Sequence, residues 1–80
     1  MDAMNVLYDS THFYMAEFPD RAGIELVDKS AGRGGFFEGD VAENLRARMQ
    51  HLFSDSPTVE SVDEFLENYD ALLTNPVVLH

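Results

Sequence analysis

The sequence contains no cysteine and no tryptophan, and only five lysine and arginine residues stand against 15 aspartate and glutamate residues. Without cysteine, neither disulfide bonds nor thiolate metal ligands can form. The formal net charge of −10 argues against binding to nucleic acid or to an anionic membrane, because both need lysine and arginine contacts to phosphate. No apolar run approaches the ~18 residues of a membrane-spanning helix. The acidic N-terminus lacks a signal-peptide pattern, so we expect a cytoplasmic protein.

The chain is nevertheless apolar enough to fold. Its 80 residues are 45% hydrophobic, a composition typical of globular rather than disordered chains. A chain of this length builds one core, so we predict a single domain over residues 1–80. Small domains without disulfides or metals often gain stability by associating, and we therefore expect a homo-oligomer.

The first half of the chain carries strand patterns separated by turn residues. The predicted strands span residues 4–8, 12–18, 24–29 and 36–38. Residues 30–35, rich in glycine, are predicted to be a flexible connection. All three connections are too short for parallel crossovers, so the pattern favours an antiparallel meander.

The second half carries helix patterns. Asp40 is the predicted N-cap of a first helix that extends to Phe53, and Ser56 the predicted N-cap of a second helix that closes at Asn75. The apolar tail over 75–80 is a candidate fifth strand. The predicted fold is therefore α+β: strands over about 4–39, then two helices over about 40–74 packed on one face of a four-stranded antiparallel meander.

Two helices of ordinary diameter cover only one face of a sheet four strands wide. Either alternation of the strands leaves large apolar side chains on the other face. If Val6, Tyr14, Leu26 and Phe36 face the helices, a second apolar set does not. We expect this second set to form a self-association surface, unless the tail or sheet coiling covers it; its members are Leu7, Phe13, Met15, Val27 and Phe37.

Acidic residues recur every three to four positions along the second helix, opposite its apolar stripe. We interpret this stripe first as a solvated face that keeps a small protein soluble. The functional alternative is a surface that binds a basic protein partner or imitates a nucleic-acid backbone. The residues concerned are Glu60, Asp63, Glu64, Glu67 and Asp70.

Sequence patterns for catalysis, metal binding or cofactor binding are weak. The serines lie at turns and helix starts, where capping explains them. The three histidines, His12, His51 and His80, have no metal-ligand spacing and are interpreted as surface residues. The glycine-rich segment 29–35 lacks the order of a phosphate-binding loop, so anion binding there is a weaker alternative. We expect no enzyme activity, no catalytic or metal site and no cofactor.

These observations favour a small acidic, non-catalytic interaction or accessory protein that forms a homodimer. A regulator that presents its acidic helix to a basic protein is the second hypothesis. The biological role itself is not encoded in any motif of the sequence.

Several segments resemble a family of short, uncharacterised proteobacterial proteins classed as a domain of unknown function. They include residues 23–29, 37–39 and 62–66, and above all the ending Pro-Val-Val-Leu-His over residues 76–80. The resemblance extends from Met4 to His80, with a departure at residues 33–35, where the family has a more charged segment. It implies a single bacterial cytoplasmic domain and carries no activity or site residue.

Overall fold

Five antiparallel strands form one sheet, on which two helices pack. The computed structural model describes residues 4–76. The helices are α1 (Gly39–Phe53) and α2 (Val59–Glu67). The strands, in their order across the sheet, are β1 (Asn5–Asp9), β2 (Phe13–Phe18), β3 (Gly23–Asp28), β4 (Arg33–Glu38) and β5 (Asn75–Pro76). The predicted α+β fold, an antiparallel meander followed by two helices, is confirmed.

The fifth strand is short. β5 pairs antiparallel with the start of β4, where Arg33 lies opposite Pro76 and Gly34 opposite Asn75. The rest of the predicted tail strand, residues 77–80, lies outside the described residues.

Tight four-residue turns set the register of the central hairpins. Phe18 pairs with Gly23 across the β2–β3 turn, and Asp28 pairs with Arg33 across the β3–β4 turn. In the second turn Gly32 adopts a φ of +66°, which favours glycine, and its N–H donates to the Asp28 carbonyl oxygen at 2.9 Å. The predicted flexible connection over residues 30–35 is therefore wrong in its second half, since residues 33–35 belong to β4.

A β-bulge in β1 turns the side chains of two consecutive residues toward the core. The β1–β2 register shifts between Val6 and Tyr8, so Leu7 is the extra residue of the bulge. Leu7 and Tyr8 consequently both pack against the hydrophobic core, which a regular strand would not permit.

The hydrophobic core lies between the helices and one face of the sheet, here called the inner face. Residues paired directly across antiparallel strands point to the same side, so the pairs Met15–Leu26 and Ile24–Phe37 share this face. Helix α1 contributes Ala42, Leu45 and Met49 to the core, and α2 contributes Val62 and Leu66. Leu73, after α2, also lies in it and is 1% exposed.

The helix boundaries differ from those predicted. Helix α1 begins at Gly39, and the residue at its N-cap position is Glu38, whose side chain makes no capping hydrogen bond. Helix α2 begins after Thr58, which forms a reciprocal capping box with Ser61. Ser56, the predicted cap, has a φ of +53° in the linker. Helix α2 ends at Glu67, and a 3-10 turn over Asp70–Leu72 replaces its predicted last turns.

Candidate functional site

The residues predicted for self-association do not lie together on an open surface. Phe13, Met15 and Phe37 belong to the hydrophobic core, and Leu7 packs against it. The prediction that these four residues lie on an uncovered face is therefore wrong, because the register points them at the helices. Val27, paired with Tyr14 and Gly34, lies on the opposite face but is only 6% exposed.

The sheet face opposite the helices, here called the outer face, is also largely apolar. Tyr14 and Phe36, which one of the two possible alternations turned toward the helices, lie on this face in the structure. Val6 on this face is 53% exposed, and Met4 beside it is 50% exposed. The pairing registers give the strand side chains of the outer face as Val6, Asp9, Tyr14, Ala16, Phe18, Glu25, Val27, Phe36 and Glu38.

Aromatic rings organise one end of the outer face. The Phe36 ring packs directly on Gly23, where a Cβ atom would meet its Cζ at 2.2 Å, so the close approach requires glycine. The Phe18 ring lies 5.9 Å from the Phe36 ring, and the Arg21 guanidinium lies 4.8 Å above it, a cation–π arrangement. Beside β1, the Tyr14 hydroxyl donates to the Met4 sulfur at 3.7 Å.

Charge on the outer face is low and of both signs. Asp9, paired with Tyr14, accepts a salt bridge from Lys29 at 2.5 Å. Arg21 stands on this side, and Glu25 lies near the centre of the face beside Phe36. A chain with a net charge of −10 thus has one surface where two copies can approach with little like-charge repulsion.

The acidic stripe divides into exposed and inward-turned members. Asp63 is 8% exposed, and its Oδ1 accepts hydrogen bonds from the Tyr8 hydroxyl at 2.8 Å and the Ser10 hydroxyl at 2.9 Å. Burial raises the pKa of Tyr8, and its hydrogen bond to Asp63 raises it further. Asp63 therefore anchors α2 to the β1–β2 hairpin and does not belong to a docking surface.

Asp70 faces a second carboxylate, Asp28. Desolvation raises the pKa of Asp70, and the hydrogen bond to Asp28 together with the negative charges of Asp28 and Glu67 raises it further, while Arg33 lowers it. Asp28 is 7% exposed, and its Oδ1 accepts from the Ala31 N–H at 3.0 Å. The Asp70 Oδ1 is buried and has no hydrogen-bond partner among the described residues, a setting that favours the protonated carboxyl.

The pair lies in a small cavity at the hairpin end of the sheet. The cavity has a volume of about 120 Å³, enough for a few water molecules. His12 borders it, and its Nδ1 lies 3.0 Å from the Ser30 hydroxyl. Its lining residues are His12, Phe13, Asp28, Ser30, Glu67 and Asp70. The sequence analysis did not identify Asp28 as a site residue, because no motif surrounds it and only the fold brings it close to Asp70.

The remaining acidic residues form a shorter exposed stripe, here called the α2 stripe. Its members Glu60, Glu64 and Glu67 are all exposed and follow one another at spacings of four and three, so they lie on one side of α2. Of the five residues predicted for this surface, these three remain available to a partner.

The glycine-rich segment does not form an anion cradle. The Gly32 N–H is already bonded to Asp28, while Gly34 and Gly35 pair within the sheet. The adjacent cavity is lined by carboxylates, which repel anions. Across residues 4–76, no group of three or more acidic or histidine side chains is placed to hold a metal ion.

The fold and its surfaces define a small α+β domain with one apolar sheet face that neither of the two described helices covers. The family described as Protein of unknown function (DUF3567) matches residues 4–80, and the chain belongs to it. The chain is similar to Protein BTH_I0359 of Burkholderia thailandensis, with 38% identity over 85 residues that cover 96% of this chain and 100% of the relative. No solved structure matches the chain. Neither described helix, within residues 4–76, has the length and apolar character required to cross a bilayer.

Proposed function

We propose that the protein is a small non-catalytic interaction protein that forms a homodimer through its outer face. The observation that carries the proposal is the apolar character of this face, where Val6 and Met4 are half exposed beside aromatic side chains. Contiguous apolar surface of this kind usually marks contact with another protein surface.

Charge supports a second copy as the partner. Helix α2 carries the exposed acidic stripe, and the first turn of α1 adds Asp40, so helical surfaces of two copies repel each other. The outer face combines Arg21 with Glu25, Glu38 and a neutralised Asp9–Lys29 pair. An isologous twofold contact brings these opposite charges of two copies within reach of one another.

The test is the molar mass in solution, with a pair of matched valine variants. Val6 on the outer face and Val41 on α1 are 53% and 50% exposed, so a lysine at either position alters a similar surface in the monomer. Sedimentation equilibrium at micromolar concentration should give twice the 9.0 kDa chain mass for the native protein and for Val41→Lys, but the single chain mass for Val6→Lys. Circular dichroism checks that both variants fold.

Two outcomes contradict the proposal. One is a native protein that stays monomeric throughout the micromolar range. The other is a dimer that Val41→Lys disrupts and Val6→Lys leaves intact, because that result places the contact on the helical side.

A second candidate function is a regulator that presents the α2 stripe to a basic protein. It is supported by three exposed glutamates on one side of a helix that contains no lysine or arginine. The test compares Glu64→Lys/Glu67→Lys with Asp20→Lys/Asp55→Lys, a pair with the same change in charge at exposed positions elsewhere. A basic partner captured from the native cytoplasm should be lost with the first variant and kept with the second; equal binding to both removes this candidate.

A further inference from the structure

A second concave surface lies on the helical side of the molecule, and its lining suggests a ligand. This surface, here called the helix groove, has a volume of about 360 Å³. It is lined by Ala47, Arg48, His51 and Leu52 of α1 and by Phe65 of α2. Ligand sites are typically concavities of ~300–1,000 Å³ with mostly apolar walls and a few polar groups.

The floor of the helix groove is apolar and firmly supported. Leu52 and Phe65 are half-buried, and both pack against the hydrophobic core on their inner sides. The Phe65 ring is further held by an edge contact with Tyr69, at 5.6 Å between ring centroids. A linear hydrocarbon chain laid between the helices would therefore contact side chains that the core already fixes.

The rim of the helix groove carries one cationic side chain, Arg48, in a strongly acidic chain. Arg48 and His51 are three positions apart on α1, so they lie on the same side of that helix. Among residues 4–76, Arg46 forms a salt bridge with Glu17 and Lys29 one with Asp9. Arg48 makes a neutral contact instead, from its Nε to the Asn44 Oδ1 at 3.3 Å, which leaves its terminal N–H groups for an anion.

We propose that the helix groove binds an aliphatic monocarboxylate of medium chain length. The hydrocarbon chain lies on Leu52 and Phe65, and the carboxylate accepts hydrogen bonds from Arg48, with His51 beside it. A planar guanidinium matches the two oxygens of a carboxylate, which favours this head group over a hydroxyl or an amine. The groove is remote from the outer face, so the proposal does not depend on dimer formation.

The experiment is a titration of the native protein with octanoate, followed by amide chemical shifts in NMR spectra. About 0.15 M salt reduces the Debye length to ~8 Å and screens the net negative charge of the chain. Saturable shifts are expected at Ala47, Arg48 and Phe65. Lengthening hexanoate to octanoate should strengthen binding about three- to fourfold for each methylene that the groove buries. Octanol and octylammonium are the matched head-group controls and should bind more weakly.

Three variants distinguish the contribution of the charge from that of the groove shape to octanoate binding. Arg48→Gln should weaken octanoate binding about fivefold through loss of a charged hydrogen bond at an exposed site. Arg21→Gln loses the same charge on the other side of the molecule and should bind as the native protein does. Ala47→Phe fills the groove and should abolish the shifts whatever the head group.

The proposal is overturned if octanol binds as tightly as octanoate, because the carboxylate then contributes nothing. It is overturned equally if Arg48→Gln and Arg21→Gln have the same effect, or if octanoate shifts only residues of the outer face. None of these results bears on the oligomeric state.

Discussion

At the scale of single residues, the molecule uses two of its acidic side chains as internal polar contacts. Asp63 accepts two hydroxyl hydrogen bonds in a nearly buried position. Asp70 lies beside Asp28 at the hairpin end of the sheet, where burial and the second carboxylate raise its pKa. In both cases a carboxylate joins the segment around α2 to the hairpins, so a change there acts on stability.

Asp63→Ala is expected to lower the free energy of unfolding by about 2–3 kcal/mol, because it leaves Ser10 without its acceptor and weakens the bond of Tyr8. In Asp63→Ala the Tyr8 hydroxyl keeps the Val59 carbonyl oxygen at 3.3 Å. Tyr8→Phe should cost less, about 1 kcal/mol, because Asp63 then keeps its hydrogen bond from Ser10. Urea denaturation followed by circular dichroism measures both. The control Glu64→Ala removes an exposed carboxylate from the same helix and should change stability by less than about 0.5 kcal/mol; an equally small effect at Asp63 would contradict the anchoring role.

The raised pKa of Asp70 predicts a specific pH dependence. The folded state holds this proton more tightly than the unfolded chain, so Asp70 contributes stability below its ordinary pKa and loses it as pH rises through the raised value. Asp70→Asn keeps a donor toward Asp28 at every pH. The variant should therefore be more stable than the native protein at pH 7, by about 0.5–1 kcal/mol after allowance for partial exposure, and the difference should shrink toward pH 4.

Thermal unfolding from pH 4 to pH 8 measures this difference, and Glu64→Gln supplies the matched charge change on an exposed side chain. A constant difference between Asp70→Asn and the native protein over that range would refute the raised pKa of Asp70.

From the sequence, the five acidic residues of the stripe were predicted to be equivalent. The structure separates them into exposed residues and partly or fully buried ones, and their spacing along the chain could not have predicted this difference. Spacing along the chain places Asp63 and Glu64 almost equally well on a polar side. The bulge in β1 brings the Tyr8 hydroxyl toward α2, and this hydroxyl and that of Ser10 provide Asp63 with inward partners. Asp70 is displaced from the stripe because α2 ends at Glu67.

At the scale of elements, strand existence, order and hairpin connectivity followed from the sequence, whereas the buried face did not. The expected inward set joined Tyr14 with Leu26, yet a four-residue β2–β3 turn pairs Tyr14 with Val27 and Met15 with Leu26. Paired residues share a face, so turn length was the missing information. Gly23 and Gly35 were interpreted as turn residues, although each allows a close approach within the sheet: Gly23 lies under Phe36, and Gly35 lies beside Leu73.

The start of α2 provides a test of the capping assignment. Thr58→Ala removes the side-chain acceptor for the Ser61 N–H at 3.1 Å and should cost about 1 kcal/mol of stability. Ser56→Ala, at the position that the sequence predicted as the cap, should change stability by less than about 0.5 kcal/mol. Chemical denaturation of the two variants distinguishes the assignments, and the reverse order of effects would place the cap at Ser56.

At the scale of the whole molecule, surface charge and the outer face act together on association. The net charge of −10 repels a second copy at long range, while the outer face presents little net charge at contact. Added salt should therefore strengthen the proposed dimer. Between 0.05 M and 0.5 M sodium chloride we expect the dissociation constant to fall about three- to tenfold, because screening removes repulsion and leaves the apolar contact intact.

Sedimentation equilibrium across this salt range measures the dissociation constant of the dimer. The variant Arg21→Glu tests whether the contact lies on the outer face. If Arg21 meets Glu25 of a second copy at contact, the substitution replaces attraction with repulsion, weakening the dimer at low salt more than at high salt. A dimer that dissociates as salt rises would instead be held mainly by ion pairs across its interface. That result would contradict the apolar contact of the outer face as the main source of the association.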